Sequence, residues 1–130
     1  MENRYLELNT DVRSMRPWGL SVFVDLFGCN SLKVRDAECL KDFSRLLCEA
    51  IDMIPYKDPM VERFAEGTLE GNSMLQFIQT SSITVHCDEE YDRVFVDVFS
   101  CKMFDPKIAE EFCKEFFNAE ESIMEPRKRG

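Results

Sequence analysis

Hydrophobic and polar positions alternate with a period of two over several stretches of the chain. In residues 19–27 (GLSVFVDLF) and 93–101 (RVFVDVFSC), Val or Leu recurs at every second position, and Phe alternates with Asp or Ser at the others. This pattern is typical of central β-strands that are apolar on both faces. Residues 73–80 and 82–87 are also strand-like, and residues 56–72, which contain one proline and two glycines, predict a short strand and a loop.

Two other stretches repeat their apolar residues at steps of three and four, which is the period of an amphipathic helix. The first runs from Asp36 to about Met53 and is ended by Pro55. The second covers residues 107–119, with Asp105 as its N-cap and Pro106 at the first helical position.

Leaving the short strand aside, the order is β-α-β-β-β-α, which predicts an α/β (α+β) two-layer sandwich with a mainly antiparallel sheet and two helices on one face. We expect a single domain over residues 1–130, with an irregular arm over 1–18 and a solvated basic tail over 120–130. The uncovered face of the sheet is rich in Phe and Val, so it is expected to meet another copy in a homodimer or larger assembly.

Composition narrows the possible partners. The net charge is −9, from 16 basic and 25 acidic residues, so nucleic acid is not expected to bind, whereas a small cationic molecule is suited to this charge. No apolar run approaches the roughly 18 residues that a bilayer span needs, and the first residues do not resemble a signal peptide. We therefore expect a cytoplasmic protein that does not enter the membrane.

The six cysteines, at positions 29, 39, 48, 87, 101 and 113, are expected to be reduced thiols, because several fall inside predicted helices and strands. There is no CxxC motif and only one histidine, so no metal site is predicted.

Four residues are candidates for chemistry: Ser73, Ser81, His86 and Cys101. The chain lacks the GxSxG elbow of serine hydrolases, and a Cys101–His86 enzyme would have no local signature. Each residue alone also has an ordinary structural interpretation, as a strand-end serine, a satisfied histidine or a small buried thiol.

Together, these residues resemble a known family, the pyruvoyl-dependent S-adenosylmethionine decarboxylases of the short prokaryotic type. SVFVDLFGCN is similar to that family's opening strand, and GNSMLQFIQTSSITVHCDEEYDRVFVDVFSC is similar to its self-processing core. In that core a serine is followed five residues later by histidine, with another serine eight residues before it and a cysteine twenty after it. Ser81, His86, Ser73 and Cys101 stand at these positions.

The resemblance implies that the chain cleaves itself between Thr80 and Ser81. The Ser81 hydroxyl would attack the Thr80 carbonyl, and β-elimination would then leave a pyruvoyl group derived from Ser81. That group is the electron sink that a decarboxylase needs. The resemblance also implies that Ser73 and His86 assist processing, with His86 removing a proton, and that Cys101 reprotonates the substrate α-carbon. Because Ser81 and His86 have opposite strand parity, we expect a turn or bulge where the strand begins.

The substrate-binding positions match the family less completely than the processing positions. Thr80 and Ser82 replace the family's usual glutamate and histidine, and CDEE replaces TWPE, which keeps Glu90 at the ribose-binding position. Phe64 is assigned as the adenine-stacking aromatic. The implied activity is decarboxylation of S-adenosylmethionine for polyamine (spermidine) synthesis. The alternatives are decarboxylation of arginine or ornithine, and an unprocessed regulatory or interaction homologue.

Overall fold

The computed structural model describes residues 16–130. Its strands form one six-stranded antiparallel sheet in the order β2-β3-β4-β5-β1-β6. The strands are β1 (Gly19–Phe27), β2 (Met60–Phe64), β3 (Gly71–Ile78), β4 (Ser81–Asp88), β5 (Arg93–Ser100) and β6 (Glu121–Arg129). The helices are α1 (Ser31–Val34), α2 (Ala37–Ala50) and α3 (Pro106–Phe116), with a short 3-10 turn at Gly67–Leu69.

The period-two pattern sorts the side chains of the central strands onto two faces. Val22, Val24, Val96 and Val98 are almost fully buried, and this face packs against α2 and α3. The two helices meet through Phe43, whose ring centroid lies 5.2 Å from that of Phe116. The predicted two-layer α+β sandwich is therefore confirmed.

Both long helices begin at the residues that the sequence predicts. The Asp36 side chain accepts hydrogen bonds from the backbone N–H groups of Glu38 and Cys39, which caps α2. The Asp105 side chain accepts from the N–H of Lys107, and Pro106 occupies the first turn of α3.

The expectation of a solvated tail over residues 120–130 was wrong, because Glu121–Arg129 form strand β6. This strand pairs with β1 along its whole length, from Phe27↔Glu121 to Gly19↔Arg129. Its inward residues, Ser122 and Met124, are only half-buried, so the strand lacks the apolar alternation that marks a central strand. The proline and charged residues of β6 suit a sheet edge, where they discourage further pairing.

The other differences are smaller. Helix α1 was not predicted, while the short strand expected within residues 56–72 is β2. Most of the predicted irregular arm, residues 1–15, lies outside the described residues. Within residues 16–130, no helix has both the length and the apolar character that a membrane span requires.

The sheet face opposite the helices is called the open face below. Its exposed apolar side chains are Phe23, Met60, Phe64, Phe77 and Ile123. Ser73 and His86 lie on the same face, where they are register partners on β3 and β4.

Candidate active site

The predicted cleavage point lies in a tight hairpin between β3 and β4. Ile78 and Ser81 are register partners, so Gln79 and Thr80 alone connect the two strands. Ser81, the first residue of β4, has a φ of 148°, a value that side-chain-bearing residues rarely adopt. Such backbone conformations cost on the order of 1–3 kcal/mol and often occur at functional sites. The peptide bond that would be cleaved therefore precedes a strained residue.

The carbonyl of Thr80 is polarised by a backbone donor. Cys101 N–H donates a hydrogen bond to Thr80 O at 2.8 Å, and Gln79 N–H donates to Ile54 O at 2.8 Å. An N–H group aimed at a carbonyl oxygen stabilises the negative charge that develops there when a nucleophile attacks the carbon. The Cys101 N–H is thus placed to stabilise negative charge on the Thr80 oxygen.

Cys101 immediately follows Ser100, which is the register partner of Ser81. Its thiol is exposed, whereas Cys29, Cys48, Cys87 and Cys113 are buried. Burial raises the pKa of the Cys29 and Cys48 thiols to about 11. All six cysteines are free thiols. Cys101 therefore combines access to solvent with a position beside the predicted cleavage point.

Ser73 and His86 form a second pair. Ser73 Oγ lies 2.8 Å from His86 Nδ1, a hydrogen bond across neighbouring strands. Asp97 and Asp25 lie on the adjoining strands of the open face. Burial raises the pKa of Asp97 above its usual value, Asp25 acts in the same direction, and His86 opposes it. The charge of His86 thus acts on Asp97, and Asp25 is a second carboxylate near Asp97.

The structure does not bring these two pairs together within one copy. Ser81 and His86 are five residues apart on β4, and a strand rises about 3.3 Å per residue, so their Cα atoms are roughly 16 Å apart. The irregularity expected at the start of the strand is present as the unusual φ of Ser81, but it does not move His86 towards Ser81. Ser81 is placed with Cys101, and His86 is placed with Ser73.

The two predicted substrate-binding residues lie towards the His86 end of the sheet. Phe64 ends β2 and is 57% exposed, and its register partner is Gly71. Glu90 lies in the turn between β4 and β5, where its N–H donates to Asp88 Oδ1 at 3.2 Å. Both are therefore closer to His86 than to Ser81 along the strand direction.

Two clefts in the single copy lie elsewhere. One, of about 380 Å³, lies between α2 and the loop around Pro55 and Pro59. Another, of about 490 Å³, is lined by Arg63 and Glu89, among others. Neither cleft is lined by Ser81, His86 or Cys101.

Sequence reasoning missed several residues around the site. The sequence analysis assigns no role to Asp25 and Asp97, although an acidic residue amid Val and Phe in both strands is a signal for them. Met53 and Ser100, which contact the Thr80 side chain, were also missed. No local motif marks them, because their contacts with Thr80 cross between distant parts of the chain.

Comparison with known proteins identifies a family for this chain. The family model for S-adenosylmethionine decarboxylase matches residues 20–130. The S-adenosylmethionine decarboxylase proenzyme of Clostridium botulinum (strain Hall) is 29% identical over 102 residues, covering 78% of this chain and 84% of the relative. The proenzyme of Anoxybacillus flavithermus is 29% identical over 119 residues, covering 89% of this chain and 92% of the relative.

The fold also has a solved counterpart. A crystal structure of the adenosylmethionine decarboxylase from Aquifex aeolicus superposes with a TM-score of 0.75 and 19% identity, covering 89% of this chain and 93% of the other. The family match defines the class of this protein as a carboxy-lyase built on a two-layer sandwich. The chain belongs to the S-adenosylmethionine decarboxylase family.

Proposed function

We propose that this chain is a pyruvoyl-dependent decarboxylase of S-adenosylmethionine that serves polyamine (spermidine) synthesis and cleaves itself between Thr80 and Ser81. One observation carries the proposal: the strained φ of Ser81 adjoins a carbonyl that accepts the Cys101 N–H. The proenzyme names of the relatives support self-processing, and their stated substrate supports S-adenosylmethionine. The net charge of −9 suits a substrate that carries a sulfonium cation.

In this proposal, cleavage begins with an N-to-O acyl shift in the hairpin. Ser81 Oγ bonds to the Thr80 carbonyl carbon, the Thr80–Ser81 C–N bond breaks, and the hydroxyl proton is transferred to the Ser81 nitrogen. During this step the Cys101 N–H stabilises the oxyanion on Thr80 O. Breaking the peptide bond also releases the strain at Ser81.

The resulting ester is then eliminated. A base removes the Ser81 α-proton and the Cβ–Oγ bond breaks, which frees Thr80 as a carboxylate and leaves dehydroalanine. Tautomerisation and addition of water release ammonia and leave a pyruvoyl group at the start of β4. When formed, this carbonyl supplies the electron sink for loss of the substrate carboxylate.

Two copies are needed to complete this site, because His86 is roughly 16 Å from Ser81 on one strand. We place the open faces of two copies against each other, so that His86 and Ser73 of the partner subunit face Ser81. Such a homodimer covers the exposed side chains of Phe77 and Met60, which are 55% and 58% exposed in one copy. Stacked sheets lie about 10 Å apart, which leaves side chains of both faces within reach of a substrate between them.

The remaining roles follow from this arrangement. The exposed Cys101 thiol donates a proton to the substrate α-carbon beside its own Ser81. Glu90 binds the ribose hydroxyls and Phe64 stacks on the adenine. Because both lie towards the His86 end of the sheet, they serve the Ser81 of the other copy. One substrate therefore contacts both subunits.

Denaturing mass spectrometry of the purified chain tests the proposal. We expect fragments of residues 1–80 and 81–130, and a single intact chain for Ser81→Ala. Ser82→Ala is the matched control, since it removes the neighbouring hydroxyl and should leave cleavage intact. Two fragments from Ser81→Ala would end this mechanism.

A second candidate keeps the chemistry and changes the substrate to arginine or ornithine. The observation in its favour is that Thr80, Ser82 and the CDEE segment depart from the family pattern near the substrate. Release of CO2 from each of the three compounds by the processed protein separates the two candidates. An intact chain that releases CO2 from none of them would instead indicate an unprocessed regulatory homologue.

A further inference from the structure

The side chain of Thr80 belongs to a small cluster of polar atoms beside the cleavage point. Thr80 Oγ1 lies 2.7 Å from Ser100 Oγ and 3.4 Å from Met53 Sδ. Ser100 Oγ lies 3.5 Å from the same sulfur and accepts the Lys102 N–H at 3.0 Å. Ser100 is fully buried and Met53 is 5% exposed, so water has little access to this group. We call Thr80, Ser100 and Met53 the hydroxyl cluster.

Both hydroxyl protons of the cluster can take part in hydrogen bonds within it. Each hydroxyl has one proton, and a single proton lies between the two oxygens. One of the two hydroxyls donates to the other, and the hydroxyl that accepts is then free to donate its own proton to the Met53 sulfur. Both the Thr80 and the Ser100 hydroxyl lie within hydrogen-bond distance of that sulfur, so either one can be the donor to it. Losing one hydroxyl therefore leaves the other with a weaker set of partners.

The cluster constrains the backbone as well as the side chain. Threonine is branched at Cβ and has few χ1 rotamers, so fixing its hydroxyl also fixes the orientation of its backbone. The Thr80 carbonyl is held on its other side by Cys101 N–H, and Gln79 N–H is bonded to Ile54 O. A strained backbone angle such as the φ of Ser81 persists only where several surrounding contacts hold the backbone in place.

We propose that Ser100, acting through the Thr80 hydroxyl, is a positioning residue for self-cleavage. It keeps the Thr80 carbonyl against the Cys101 N–H and holds Ser81 in its strained conformation. This inference rests on the proposed function, since it concerns the rate at which the Thr80–Ser81 bond breaks. It also gives a role to the threonine that stands where the family usually has glutamate.

The test follows the decay of the intact precursor into fragments of 80 and 50 residues by denaturing mass spectrometry. Thr80→Val keeps the branched shape and removes the hydroxyl, so cleavage should slow about three- to tenfold, the value of one hydrogen bond. Ser100→Ala should slow it by a similar factor. Thr80→Ser, which keeps the hydroxyl, should cleave at close to the wild-type rate.

Two comparisons separate positioning from general destabilisation. The Thr80→Val/Ser100→Ala double variant should be no slower than the slower single variant, because both changes remove the same contact. Thr84→Val is the matched control on β4 and should cleave at the wild-type rate, since its register partners are Leu75 and Asp97 and not members of the hydroxyl cluster. Thermal unfolding of each variant in a Ser81→Ala background, where no chain is cut, measures stability separately from rate.

The outcomes distinguish this inference from the function on which it rests. If the wild-type protein cleaves and Thr80→Val cleaves equally fast, the positioning role of Ser100 is overturned while the proposed function stands. Slowing in the double variant equal to the product of the two single effects would also overturn it, because the residues would then act independently. If the wild-type chain is never cut, both the proposed function and this inference fail.

Discussion

At the scale of single residues, the thiol of Cys101 differs from the other cysteines in its surroundings. It is exposed at the end of β5 and follows the register partner of Ser81, whereas burial raises the pKa of Cys87 to about 12. A buried thiol with a raised pKa is protonated but out of contact with any substrate. Exposure beside the proposed cleavage point suits Cys101 to the proton-donor role that we propose.

Cys101→Ala should therefore leave cleavage at Ser81 intact while slowing CO2 release. The backbone N–H that polarises Thr80 O is unchanged by this substitution, and general acid catalysis typically contributes about 10²–10⁴-fold. Fragment masses report processing, and CO2 release per processed chain reports turnover. Cys39→Ala is the control, since that half-buried thiol lies on α2. A processed Cys101→Ala protein with undiminished turnover would exclude the proton-donor role.

Residue spacing predicted the members of the candidate site better than it predicted their arrangement. The offsets that link Ser73, Ser81, His86 and Cys101 lie within 29 consecutive residues, 73–101, so they are visible in the sequence. Ser81 and His86 are an odd number of residues apart, so on one regular strand their side chains would point to opposite faces of the sheet. The contacts of Met53 and Ser100 with Thr80 span 27 and 20 residues of chain and could not be predicted from local pattern.

At the scale of secondary structure, predictability followed the strength of the burial pattern. Strands β1 and β5 are central and apolar, and α2 and α3 have one buried stripe and a capping aspartate, so each was predicted. Strand β6 was missed because an edge strand needs few apolar residues. Its sequence, ESIMEPRKR, resembles a solvated tail until its pairing with β1 is known.

Removing residues 121–130 should destabilise the protein if β6 completes the sheet. The truncation deletes a nine-residue strand whose partner is β1. A loss of at least about 2 kcal/mol is expected, since each hydrogen bond of the ladder is worth about 0.5–1.5 kcal/mol. Urea unfolding in the Ser81→Ala background gives the value, and Lys128→Gln controls for lost positive charge. Unchanged unfolding free energy would mean that the segment is a solvated tail after all.

The ion pair between β2 and the β4–β5 turn predicts a dependence on acid. Hydrogen bonding to Arg63 lowers the pKa of the Glu89 carboxyl below its usual value. A lowered pKa stabilises the folded state above the unfolded value of about 4.3, and this contribution is lost as the pH falls through the folded pKa.

Glu89→Gln should therefore cost stability at neutral pH, with a difference from wild type that shrinks below about pH 4.3. Thermal unfolding across this range measures it. Glu66→Gln is the control, because the loop carboxylate of Glu66 makes no ion pair in the described part of the chain. A difference that stays constant with pH would contradict the assigned pKa direction.

At the scale of the whole molecule, the open face gives two independent reasons for association. Four of its apolar side chains, Met60, Phe64, Phe77 and Ile123, are more than half exposed in one copy. The same face also carries the Ser73–His86 pair, which has no access to Ser81 of its own chain. Stacking two open faces would bury the exposed apolar side chains. The same arrangement would bring the Ser73–His86 pair of one copy to Ser81 of the other.

A shared site predicts complementation between inactive copies. Ser81→Ala lacks the nucleophile but keeps His86, and His86→Ala lacks the imidazole but keeps Ser81. Each variant alone should slow or abolish cleavage, because its homodimer has no complete site. In mixed dimers, the His86 of the Ser81→Ala copy faces the Ser81 of the other copy, so the His86→Ala chain should be cut while the Ser81→Ala chain stays intact.

Co-expression of the two variants with different affinity tags, followed by tandem purification and mass spectrometry, identifies which chain is cut. Adding Cys101→Ala to the Ser81→Ala copy is the matched control: it should leave complementation unchanged, since the proposed cleavage uses the backbone N–H of Cys101 and not its thiol. Sedimentation should show the unmixed wild-type protein as a dimer or larger at micromolar concentration. Mixed dimers in which neither chain is cut, or a wild-type monomer that cleaves with first-order kinetics, would place the complete site within a single copy and contradict the shared arrangement.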